Sequence, residues 1–158
     1  MGLLDRHGKN GVSQVRTQMV GDRSKETLQP IVREHVAAGK PVFTDEHSGY
    51  FGLDADFAHE FMNHAEQYLR GNVHTNGLEN FWSLLARMLK GTYVAVEPFH
   101  LFRYLDEQAF RFNERKNEEG DAGRFVEALS TAAGRRLTYK QLIGKAEEKP
   151  SIPAPTLH

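Results

Sequence analysis

The chain has 158 residues, 39% of them hydrophobic and 26% charged, which is enough for one domain with its own core. It contains no cysteine, so disulfides and thiolate zinc sites within it are excluded. No apolar run approaches the ~20 residues of a membrane span, and the stretch from Met1 to Gly11 is too polar for a secretory signal, so a cytoplasmic location is expected. The formal net charge of −1 lacks the basic excess usual in a free-standing nucleic-acid-binding module. That average hides two basic groups, Arg103, Arg111, Arg115 and Lys116, then Arg135, Arg136 and Lys140, separated by Glu118, Glu119 and Asp121.

In chain order, Gly2 to Arg6 and Val12 to Val20 read as two strands joined through Asn10-Gly11, a hairpin signal. Val15, Thr17 and Met19 alternate with Gln14, Arg16 and Gln18, the pattern of a half-buried sheet. Ser24 is placed to cap a helix to about Ala38, with Leu28, Ile31, Val32 and Val36 on one stripe, Pro30 in its early turns and Gly39 as its stop. Lys40 to Asp45 then reads as a short apolar strand ending on a carboxylate. Strand, strand, helix, strand is the order of a mixed α/β sheet. Beyond it the spacing predicts helices over roughly Ala55 to Tyr68, Gly77 to Lys90, Pro98 to Asn113 and Arg124 to Ala133, and a turn or two over Leu137 to Gly144. Residues 145–158, with three prolines and little apolar content, are expected to form a disordered tail behind a domain of residues 1–144.

Three segments hold candidate chemistry. Asp45 ends a strand, the position where α/β sheets place ligands and metals, although a lone Asp there also serves as a cap. Glu46 and His47 follow it, but successive side chains of an extended chain point in opposite directions. The second segment begins at His74-Thr75-Asn76. Leu78, Phe81, Trp82, Leu85 and Leu89 make its apolar face, while Asn76, Glu79, Ser83, Arg87 and Lys90 share the other side. A capping box between Asn76 and Glu79 would account for both residues without any catalysis. In the third segment Leu101, Tyr104, Leu105 and Phe112 form a stripe. Arg103, Arg111 and Arg115 have two readings there, phosphate contact or exposed pairing with Asp106, Glu107 and Glu114. His59 and His64, five apart, are badly spaced for a shared zinc on one helix.

Taken together, these segments resemble the insertion-sequence transposases of the ISXO-two-like branch of the DDE superfamily. The features that carry the resemblance are Thr44-Asp45-Glu46 with Gly49-Tyr50; His74-Thr75-Asn76-Gly77-Leu78-Glu79 with Phe81-Trp82-Ser83-Leu84-Leu85; Lys90-Gly91-Thr92-Tyr93; His100-Leu101; Arg103-Tyr104-Leu105; and Phe110-Arg111-Phe112-Asn113. The match spans about residues 3 to 143. It implies an RNase H-like core, a mixed sheet flanked by helices, in which two acids and a third Glu or Asn hold Mg²⁺ or Mn²⁺. Carried over by motif, Asp45 is the second catalytic acid, and Asn76 and Glu79 both stand for the third metal ligand. DNA, as transposon ends and target, is the implied partner, contacted by Arg87, Lys90, Arg103, Arg111 and Arg115. A homo-oligomer fits the same resemblance.

Three departures from the family pattern shape the expectation. The first catalytic Asp of such transposases lies on the opening strand, and this chain starts on the strand after it; Asp5 does not take that place by motif order. A zinc ribbon or helix-turn-helix for recognising transposon ends is not found ahead of the core. Ala86 stands where relatives commonly carry Lys. The resemblance therefore implies an incomplete sheet without its first strand, and a transposase fragment inactive alone. The alternative is a non-catalytic fragment that binds DNA or a full-length transposase.

Overall fold

The computed structural model describes residues 1–6, 11–62, 77–93 and 95–143 in full, together with the backbone of Asn76. The strands are β1 (Gly2–Asp5), β2 (Gln14–Thr17), β3 (Pro41–Thr44) and β4 (Ala58–Phe61). The helices are α1 (Lys25–His35), α2 (Asn76–Met88), α3 (Leu101–Asn113), α4 (Gly120–Ala132) and α5 (Tyr139–Leu142). The α/β class expected from the element order is thus observed. The strands form two separate pairs instead of one sheet: β1 runs antiparallel to β2, with Leu4 opposite Val15, and β3 runs parallel to β4, with Val42 opposite His59.

β1 divides two apolar clusters because successive strand side chains leave on opposite faces. Leu4 joins Val15, Phe81 and Phe112, with Leu78, Trp82, Leu84 and Ala109 around them. Met1 and Leu3 join Val32, Leu53 and Phe57, with Val36, Val42 and Tyr50. Helix α2 lies close on the first face: a Cβ on Gly2 would stand 2.7 Å from Trp82 Cζ2, and one on Gly77 would stand 2.7 Å from Leu4 Cδ2. At Gly2 the facing atom belongs to a rigid indole, so the close approach there depends on a bare Cα.

Helix α1 starts after Ser24, as its sequence predicts, but the Ser24 side chain does not cap the helix. Asp22 Oδ1 instead accepts from the Ser24 N–H (2.8 Å) and hydroxyl (2.6 Å), closing an Asx turn over Arg23. Leu28, Ile31 and Val32 are buried along the expected stripe, and the helix continues through Pro30 to end at His35, with Gly39 in a left-handed turn beyond it.

Several expectations are corrected. The helix over Ala55 to Tyr68 does not form in its described part: a 3₁₀ turn at Leu53–Ala55 leads into β4. Residues of good helix propensity are recruited there by parallel pairing with β3, a tertiary override of a local preference. His59 therefore sits on a strand. The strand over Val12 to Val20 shortens to β2, leaving Met19 half exposed. The helix from Gly77 to Lys90 ends in a wider π turn at Leu89–Tyr93, the one from Pro98 begins as a 3₁₀ turn, and the one expected from Arg124 starts earlier, at Gly120. The hairpin residues 7–10, positions 63–75 with His64, His74 and Thr75, and the tail lie outside the described residues.

Candidate active site

Asp45 follows the last residue of β3, where the strand gives way to a 3₁₀ turn at Ser48–Tyr50. Its Oδ1 accepts from the His47 N–H at 3.2 Å, so part of the carboxylate shapes the turn, as the capping reading allowed. Before it, the Thr44 hydroxyl donates to the Asp45 carbonyl (2.8 Å) and stands 2.9 Å from His59 Nε2. With its single proton committed to that carbonyl, the hydroxyl accepts from His59, which places the imidazole proton on Nε2. Burial holds the His59 pKa below its ordinary value, against a smaller upward pull from Asp54.

The turn after Asp45 is held from behind by Gln29, 1% exposed, whose amide donates to the carbonyls of Gly49 (3.3 Å) and Phe51 (3.0 Å). Arg33 donates to the Gln29 amide oxygen at 3.0 Å and pairs with Asp56 at 2.7 Å. Helix α1 thereby fixes the Asp45 loop through one buried amide. In front of the loop is a small cleft of about 140 Å³, in which Asp45 shares the lining with Arg23, His47 and Tyr50. Arg23 and Tyr50 gain their place there only in the folded chain. Nothing local in Asp22-Arg23-Ser24 signals a site, whereas Gly49-Tyr50 was within the motif that follows Asp45.

The other sequence-predicted residues lie elsewhere. Asn76 opens α2, and its side chain is outside the described residues. Glu79 is exposed in the first turn of α2 and does not line the Asp45 cleft. Arg87 is exposed, with Nε 3.4 Å from the Ser83 carbonyl, and Lys90 is exposed in the π turn. Arg103 lies 4.9 Å from the Phe102 ring centroid. Arg111 makes a two-pronged contact with Glu107 Oε1 (3.0 and 2.8 Å), and Tyr93 donates to Glu107 Oε2 at 2.6 Å. Arg115 donates to the carbonyls of Ser13 (2.8 Å) and Phe112 (2.6 Å) and stacks 4.1 Å from the Phe112 ring. Arg111 and Arg115 thus have intramolecular partners that account for their positions without DNA.

Divalent-metal chemistry needs several converging oxygen ligands. Among the described residues no group of three His, Cys, Asp or Glu is placed to hold an ion. Asp45 is the one carboxylate among the described residues lining the cleft, so these residues do not by themselves compose a metal site. No described helix is long and apolar enough to cross a membrane.

An α/β domain with an acidic residue at a strand end is compatible with the transposase class that the motifs above resemble. The sequence model of the ISXO2-like transposase domain matches residues 1–113. A Haemophilus influenzae protein described as an uncharacterized transposase-like protein is 34% identical over 100 residues, covering 63% of this chain and 80% of the relative. No solved structure matches significantly. The chain belongs to the ISXO2-like transposase family, and membership supports a transposition-related function and implies DNA partners. Transposases of the DDE type generally use divalent metal ions.

Proposed function

We propose that the chain is a transposase-related domain on an RNase H-like plan, which contacts the DNA of transposon ends and target but does not cleave DNA or transfer strands by itself. The observation that carries this reading is Asp45, the sole carboxylate among the described residues lining its cleft. Attack on a phosphodiester by water or a freed 3′-hydroxyl needs charge stabilisation at both the entering and leaving oxygens, which one carboxylate does not organise. In this reading Mg²⁺ or Mn²⁺ belongs to a complete site, with Asn76 or Glu79 as its helix-borne ligand.

A shared apolar cluster between the two strand pairs supports the RNase H-like plan, in which the strands belong to one sheet. β1 and β3 do not pair, yet Leu3 and Val42 feed one cluster, and the Arg6 guanidinium lies 5.7 Å from the Phe43 ring centroid.

A strand-transfer assay with transposon-end DNA and Mg²⁺ or Mn²⁺ tests the proposal. The expected yield from the isolated chain equals that of its Asp45→Asn variant. Metal-dependent product from the unmodified chain, lost in Asp45→Asn, would overturn the claim of inactivity.

A further inference from the structure

The cleft at Asp45 holds three hydrogen-bond donors that the carboxylate does not explain. Arg23 is exposed and makes no hydrogen bond or ion pair within the described residues, although it lines the cleft. Its neighbour Asp22 makes no ion pair with it: that carboxylate accepts from the Ser24 N–H and hydroxyl, which hold its pKa below the usual carboxylate value. The Asx turn sets Arg23 at its apex.

Across the cleft, His47 Nδ1 accepts from the Gly49 N–H at 3.1 Å. In the neutral ring the proton therefore sits on Nε2, which is left as a donor. Tyr50, edge-on to His47 with ring centroids 6.2 Å apart, brings a phenol to the same lining. Burial, and then the Asp45 charge, raise its pKa, so the phenol keeps its proton at neutral pH. Gly49 lets these parts close together: a Cβ there would stand 2.6 Å from the Arg23 carbonyl and 3.1 Å from His47 Nδ1.

A permanent cation with two further donors suits an anion with several acceptor oxygens. A guanidinium matches phosphate in particular, because its planar fork meets two oxygens at once. We propose that Arg23, His47 and Tyr50 form a phosphate-holding site that seats a DNA backbone phosphodiester beside Asp45, with Arg23 as the residue that supplies most of the binding. This inference rests on DNA being the partner, as argued above, and assigns the groups that orient it at the acidic strand end.

Binding of a fluorescent duplex, followed by anisotropy over a range of salt concentrations, tests the assignment with wild type, Arg23→Gln, Arg23→Lys and, as a charge control outside the cleft, Lys40→Gln. Removing one phosphate contact lowers the slope of log affinity against log salt by about 0.9. Arg23→Gln is expected to show that loss, with affinity weaker by about tenfold at low salt. Arg23→Lys should restore the slope, and Lys40→Gln should match wild type. Wild-type slope and affinity in Arg23→Gln would overturn the site while leaving DNA binding intact. Absence of any salt-dependent binding by wild type would instead remove the DNA reading, and this inference with it. Side-chain NMR of the wild-type protein provides a second arm that needs no variant. Duplex should shift the Arg23 and His47 side-chain resonances, and a shift with inorganic phosphate but none with duplex would also overturn the assignment.

Discussion

Asn113 closes the last of the family motifs, and its role is visible in two bonds. Its Oδ1 accepts from the Val15 N–H at 2.7 Å and its Nδ2 donates to the Val15 carbonyl at 3.0 Å, joining residues 98 apart in sequence. Val15 is 1% exposed, so water does not replace a lost partner there. Asn113→Ala is expected to lower stability by about 1–3 kcal/mol, measured by urea denaturation, since it strands two backbone groups. A change below about 0.5 kcal/mol would show the contact to be incidental. Sequence reading placed Asn113 at a helix end but gave no sign of what it reaches, because side-chain pairing to a distant backbone leaves no periodic trace. The same limit hid Arg23, whose place at the cleft depends on Gly49 and on an Asx turn. Asp45 was legible because a strand end followed by a polar run is a local pattern.

At the level of elements, α2 and α3 were readable from their apolar stripes, and Phe81 shows what those stripes do. Fully buried, it meets Trp82 and Phe112 edge-on at centroid distances of 5.0 and 5.7 Å. It therefore ties α2 to α3 and to Val15 of β2 in one cluster. Phe81→Ala should cost about 3–5 kcal/mol, a large share of the roughly 5–15 kcal/mol by which domains are stable. Phe125 on α4 is 64% exposed, and the same substitution there should stay within about 0.5 kcal/mol. Paired thermal melts decide this, and equal losses at the two sites would refute the assignment of the core. β4 was not legible. Ala58-His59-Glu60-Phe61 is four residues long, without apolar alternation, and becomes a strand only because β3 offers it a parallel edge.

For the molecule as a whole, the element order was enough for the α/β class but not for the division into two strand pairs. That division depends on which edges meet, a tertiary matter that composition and spacing do not encode. The two apolar clusters share β1, since Leu3 and Leu4 leave it on opposite faces. They are therefore expected to melt together. Trp82 fluorescence, from one cluster, and a methyl NMR probe at Leu53, from the other, should give the same urea midpoint, and separated midpoints would mean two independent units. The grip of α3 on β2 has a consequence at this scale too. Exposed strand margins recruit stray polypeptide and grow into fibres. On the outer side of β2 the Ser13 carbonyl is taken by Arg115, and both polar groups of Val15 are taken by Asn113. A foreign strand arriving there finds the Val15 rung filled by a side chain, so self-templated growth is hindered at the middle of that margin by the domain's own helix end.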